Sequence, residues 1–267
     1  MQQIIRKNLD KRTQTYLSRW QTEINNLSTY KDKVEQAATK YSSRRSTKTF
    51  KQVCDVLDLM CSGNRRCNYC EDSVADEVEH IKPKSLYPEF VFVWENYLYA
   101  CGQCNTRKNN KYAVFINGAL IDVTRLKNQP IINPLIGSEV FLNPRIENPM
   151  DYIELDLGVK LDGTFLYLPR YNLTSLEYQR AEYTIKILNL NRDYLLRGRA
   201  IASQNFKARL VEYEQKQGQF TQPEKQKFIE SFREISYPSV WYEVKKQYLN
   251  IPSIKPFFVN FPEVLNW

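Results

Sequence analysis

Between residues 10 and 61, apolar side chains recur at steps of three and four. Tyr16, Leu17, Trp20, Ile24 and Leu27 fall on one helical face, and Val34, Ala37, Ala38 and Tyr41 continue it in a second segment. A polar run at 42–47 interrupts the pattern. Thr47 or Thr49 is placed to cap a third helix carrying Phe50, Val53, Val56, Leu57 and Met60, which Ser62-Gly63-Asn64 ends. Residues 3–6 form a short β-prone start. After the centre of the chain the period changes: 113–123 (AVFINGALIDV) reads as two strands around Asn117-Gly118, a pair that suits a tight hairpin. Pro130, Pro134, Pro144 and Pro149 punctuate a loop-rich stretch. Alternation at 152–157 then predicts a second hairpin over 151–168, turning near Asp162-Gly163.

From Ser175 helix returns, with Leu176, Tyr183, Ile187 and Leu190 marking one face. A junction follows at 189–191, then a helix to about Lys216, and two more segments near 222–235 and 239–249. The apolar tail IPSIKPFFVNFPEVLNW is expected to dock on the core. The pattern predicts an α+β, mostly helical fold in four stretches: a basic helical arm over 1–66, a compact module over 67–112, a strand and loop region over 113–170 and a helical C-terminal region over 171–267.

Composition changes the picture little, and charge changes it more. At 42% hydrophobic and 13% aromatic over 267 residues, the chain can fill a core, so wholesale disorder is excluded. Only eight glycines argue against a Gly-rich phosphate cradle. No window is apolar enough to span a membrane, and the first dozen residues lack a signal-peptide core, so a cytoplasmic setting with reduced thiols is expected. The net charge of +8 is uneven: residues 1–66 hold 14 Lys+Arg against 6 Asp+Glu, 67–104 hold 2 against 7, and 105–267 hold 22 against 17. A basic arm beside an acidic patch suits a phosphate-binding protein with a cation site. A solvated basic face explains the arm equally well.

The acidic patch is also where the scarce residues gather. Four of six cysteines form two C-x2-C pairs, Cys67 with Cys70 and Cys101 with Cys104, and the only histidine, His80, lies between them. Each pair can clamp one edge of a tetrahedral ion, and four thiolates in a reduced compartment suit structural Zn²⁺. A closed site of four cysteines holds a fold and does not activate water. The 30 residues between the pairs must fold inside the clip, while Cys54 and Cys61, seven apart on a helical face, read as core. Val78-Glu79-His80-Ile81 alternates as a strand, putting Glu79 and Ile81 opposite His80, with Pro83 ending it. A carboxylate next to an imidazole supplies a cation ligand and a general base. A lone histidine is by default a satisfied polar residue, so the context carries this reading.

In order, Cys67-x2-Cys70, Glu79-His80-Ile81-x-Pro83, Asn96-Tyr97-Leu98 and Cys101-x2-Cys104-Asn105-x2-Lys108 resemble the HNH endonuclease family, in its HNN variant. The resemblance implies a ββα-metal module that grips one catalytic cation, Mg²⁺ or Mn²⁺. It implies that His80 activates water, that Glu79 and Asn105 hold the cation, and that Asn96 orients His80 by hydrogen bonding. Arg107 and Lys108, expected at the start of the helix, are candidates for phosphate contact, as are Lys82, Lys84, Arg65 and Arg66. Glu79 stands where Asp is the commoner residue.

Further phrases, Ile4-Ile5-Arg6-Lys7, Ile132-Asn133-Pro134, Glu147-Asn148-Pro149 and Arg180-Ala181-x2-Thr184-Ile185, are similar to the Septu-type (PtuB-like) and retron-associated HNH nucleases of antiphage defence. That likeness implies a partner ATPase of the ABC or SMC-like class. Two other readings stay open: a zinc-stapled module that binds nucleic acid without cutting it, and a nuclease whose substrate is RNA, such as tRNA.

Overall fold

Three side-chain caps set the N-terminal helices in place. Asp10 accepts from the Thr13 backbone N–H at the start of α1 (Lys11–Asn25), Thr29 from Asp32 at α2 (Tyr30–Arg44) and Thr47 from Phe50 at α3 (Lys48–Asp58). Each cap satisfies a donor that the first helical turn leaves unpaired. The computed structural model describes residues 1–267, the side chain of Arg233 excepted. Leu17, Trp20 and Ile24 of α1, Val34, Ala37 and Tyr41 of α2, and Phe50, Val53 and Leu57 of α3 face inward, as the spacing predicts.

The inward faces pack on the middle of the chain. Strand β1 (Glu77–His80) pairs antiparallel with β2 (Tyr97–Ala100), Glu77 opposite Ala100 and His80 opposite Tyr97, and α4 (Gly102–Lys108) follows at once. Next, β3 (Ala113–Ile116) and β4 (Ala119–Asp122) form the expected hairpin; its turn has φ of +50° at Asn117 and +80° at Gly118, the left-handed pair that a two-residue turn requires. A short β5 (Ser138–Glu139) adds to β3. The second hairpin joins β6 (Ile153–Leu155) to β7 (Tyr167–Pro169).

The C-terminal helices are α5 (Ser175–Leu188), α6 (Asp193–Lys216), α7 (Gln222–Glu234), α8 (Pro238–Gln247) and α9 (Lys255–Asn260). Helix α5 begins in a Thr174–Glu177 capping box and ends at Asn189, left-handed at φ +46°. The tail docks as expected, burying Ile251, Ile254, Phe258 and Val264. Helices hold 49% of the residues beside small sheets, an α+β fold. One hydrophobic cluster runs from Met1 to Val264, so all four sequence stretches share a core. Among the described residues no helix is long and apolar enough to cross a membrane.

Two expectations fail. Residues 3–6 join no sheet; Ile4 donates a single backbone hydrogen bond to Pro144. In α5 the buried face is Ala181, Thr184 and Leu188, while Leu176 is 42% exposed. Thr184 reads as polar in the pattern and so shifts the expected face, yet it is buried with its hydroxyl accepting from the Leu142 N–H.

Candidate metal centre and catalytic pocket

The two C-x2-C pairs converge. The four Sγ atoms lie within 4.8 Å of one another, all in buried residues, and Cys70 and Cys101 are 3.8 Å apart. A tetrahedron with Zn–S bonds of about 2.3 Å has edges of about 3.8 Å, whereas a disulfide would bring the sulfurs to about 2.05 Å. The donor set and its spacing therefore fit zinc. Cys67 and Cys70 sit on a knuckle closed by Glu71 N–H to Cys67 O at 2.9 Å, and Cys101 is the residue from which α4 departs. Arg192, from the C-terminal region, donates to Cys104 Sγ at 3.8 Å, a cation beside a sulfur that metal binding would leave anionic. Cys54 and Cys61 are partly buried and outside the cluster.

The clip holds β1, β2 and α4 together, and their ends border an open cavity of about 470 Å³ that Glu79, His80, Lys84 and Asn105 help to line. The N-terminal arm supplies the opposite wall through Val34 and Ala38 of α2. Strand alternation sends His80 toward α2, where its ring meets Tyr41 edge-on at 4.6 Å and Tyr97 at 5.1 Å. His80 Nε2 lies 3.0 Å from the Val91 carbonyl, which also accepts from the Tyr97 hydroxyl at 2.5 Å. A carbonyl only accepts, so Nε2 carries the hydrogen and Nδ1 is the unprotonated nitrogen. Burial, and then the charge of Lys84, hold the imidazole well below its usual pKa, so His80 is neutral.

Glu79 goes the other way, under α4, where Lys108 Nζ is 2.6 Å from its carboxylate and also donates to the His80 carbonyl at 2.9 Å. Burial pushes the Glu79 carboxyl up, and Lys108 opposes that shift. Lys108 is 0% exposed and closes the last turn of α4 instead of opening the helix, so it is not a phosphate contact. A buried carboxylate costs too much without a partner, and Lys108 is that partner. Arg107 stands in the same last turn but is exposed.

Asn96 uses its whole amide on the loop between the strands. It accepts from Lys82 N–H at 2.7 Å and donates to the carbonyls of Lys82 and Phe90 at 3.0 Å each. The expected direct bond to His80 is not among these. The ring nitrogen is already taken by Val91, and Asn96 ties together the loop that carries Val91. Replacing Asn96 with Ala removes three buried hydrogen bonds, each of about 1 kcal/mol net. The expected outcome is a lower melting temperature with zinc retained, read by thermal denaturation and metal analysis.

Asn105 donates through Nδ2 to the Glu77 carboxylate, which directs its Oδ1 elsewhere. Glu77 escaped the sequence reading, although it stands two places before Glu79 on the same strand. A Cβ at Gly102 would come within 3.3 Å of its Oε1, so a glycine there gives it room. Of the remaining cations, Arg65 pairs with Asp58 at 2.8 Å and donates to the Ala75 carbonyl, and Arg66 donates to the Asp72 carbonyl at 2.5 Å. Both brace the cysteine knuckle and are absent from the cavity lining. Lys82 pairs with Glu139 at 2.7 Å and lies over the Phe90 ring. Lys84 alone of the six sequence candidates borders the cavity.

The sequence model of the HNH endonuclease family matches residues 67–111, the stretch from the first zinc-site cysteine to just beyond α4. The chain carries an HNH endonuclease domain. The HNH domain is thus the clip, the two strands, their loop and α4, with the rest of the chain packed around it. The chain is also similar to the Septu protein PtuB of Bacillus thuringiensis, 35% identical over 87 residues. That match covers 31% of this chain and 29% of PtuB, so it spans under a third of either protein.

Proposed function

We propose that this chain is a metal-dependent HNH endonuclease that hydrolyses phosphodiester bonds of DNA. The observation that carries the reading is the meeting of Glu79, His80 and Asn105 at one cavity, with His80 neutral and its Nε2 committed to Val91. Nδ1 of such a ring takes a proton from water as the water attacks phosphorus. Glu79 and the Asn105 Oδ1 are hard oxygen donors and would hold Mg²⁺ or Mn²⁺. A divalent cation bound there offsets charge that develops on the leaving oxygen. Tyr41 and Tyr97 pack the imidazole on two sides and keep it in one orientation. The zinc held by the four cysteines fixes the strands and α4 and takes no part in the chemistry.

The likeness to PtuB supports a place in antiphage defence, with an ATPase of the ABC or SMC-like class as partner. A nuclease acting without restraint would harm its own cell, so low activity of the isolated chain and higher activity with its partner are expected. Purified protein incubated with plasmid and with tRNA, with and without Mg²⁺ and a co-expressed ATPase, tests both parts. The reading expects Mg²⁺-dependent cleavage of plasmid that Asn105→Ala removes. Binding without cleavage, unchanged by Asn105→Ala and by chelation of Mg²⁺, would instead make the domain a zinc-stapled binding module. Cleavage of tRNA alone would move the substrate to RNA.

A further inference from the structure

The charged groups gathered at the cavity leave no negative charge to spare. Glu79 borders it with its carboxylate held by Lys108, and Glu77 stands behind Asn105. Against these two carboxylates are Lys108, Lys84 and Arg45, whose guanidinium is close enough to act on both Lys84 and Tyr41. Two anions face three cations. Mg²⁺ sites of this kind rely on one or two carboxylates plus phosphate oxygens of the substrate. Here the protein's share is smaller still, because the cavity carboxylate is already paired.

Lys84 is the unusual member. It lies on the cavity border with its ammonium over the Tyr41 ring at 5.1 Å, the ring that also packs against His80. No ion pair engages it among the described residues; Glu79, the carboxylate that acts on it, is held by Lys108. Burial pushes its pKa down, the mark of a charge without an adequate counter-ion. A surface lysine would extend into water; this one is packed beside the general base.

We propose that the cavity takes its divalent cation and the substrate phosphodiester as one unit, with Lys84 receiving a non-bridging phosphate oxygen. The proposal rests on the nuclease reading and adds to it how the site is loaded. The phosphate supplies the negative charge that the protein withholds, so cation and nucleic acid each tighten the other's binding by the same factor. The chain holds little catalytic metal until a backbone is in place, and Lys84 makes that dependence by opposing the cation when alone and meeting the phosphate when it arrives.

The test uses the full zinc-loaded chain with His80→Ala, which keeps substrate uncut. Free Mn²⁺ is followed by electron paramagnetic resonance with and without a short DNA duplex, subtracting the Mn²⁺ that duplex alone binds. Duplex affinity is followed by fluorescence anisotropy with and without Mn²⁺. The expected result is Mn²⁺ binding about tenfold or more tighter with duplex, and a matching gain for duplex with Mn²⁺. Lys84→Met should tighten Mn²⁺ binding to the duplex-free chain and reduce the coupling to within about twofold, while Lys84→Arg keeps it. Mn²⁺ binding that requires Asn105 yet ignores the duplex overturns the proposal, as does coupling that survives Lys84→Met. Mn²⁺ binding indifferent to Asn105→Ala, with and without duplex, overturns the nuclease reading as well.

Discussion

Cys101→Ser is expected to release the structural zinc and unfold the HNH domain. Binding of structural zinc contributes about 10–16 kcal/mol in small zinc domains, against a total stability of about 5–15 kcal/mol for a folded protein. The clip also encloses β1, β2 and the loop between them, so little else closes that segment. Serine is a favoured residue just before a helix, so the change spares the start of α4 and isolates the thiolate. Metal analysis should show zinc lost, and circular dichroism should show a broad or absent thermal transition. Cys61→Ser, outside the cluster, should keep both. Zinc retained at full occupancy in Cys101→Ser would remove the four-cysteine assignment.

Lys108→Met is the second large effect, and it separates two roles for one residue. If Lys108 held phosphate, its loss would weaken DNA binding and leave the fold alone. With Nζ 2.6 Å from the Glu79 carboxylate and no exposure, its loss leaves a buried carboxylate without its cation. Breaking a buried pair from one side costs about 3–5 kcal/mol, to be read as a fall in chemical-denaturation midpoint. Adding Glu79→Gln should return much of that stability, because the unpaired charge disappears, yet activity should stay lost because the cation ligand is gone. A Lys108→Met chain as stable as the parent would contradict the buried pair.

Much of the fold was legible because its signals are local. The caps at Thr47 and Thr174, the Asn117-Gly118 turn and the two C-x2-C pairs each act within a few residues. The candidate site was legible as a list, Glu79, His80 and Asn105 being drawn to one cavity as the HNH resemblance implied. What the list lacked was direction. Lys84 and Lys108 are both lysines near the motif, and only packing sends one to the cavity border and the other beneath α4. Tyr41 looked like one more core position of α2, since nothing in helical spacing says which neighbour a ring will touch. Glu77 was passed over because a third acidic residue in an acidic stretch carries no distinguishing mark until its contact with Asn105 is known.

The central claim is that His80 prepares water for attack on a phosphodiester. It is tested most directly by His80→Ala, assayed for plasmid cleavage in Mg²⁺ under the conditions in which the parent chain cuts, with zinc content and melting temperature measured on the same sample. The account predicts a rate at least about 100-fold lower at unchanged zinc content, in a protein that still folds. Undiminished cutting by that variant would contradict it.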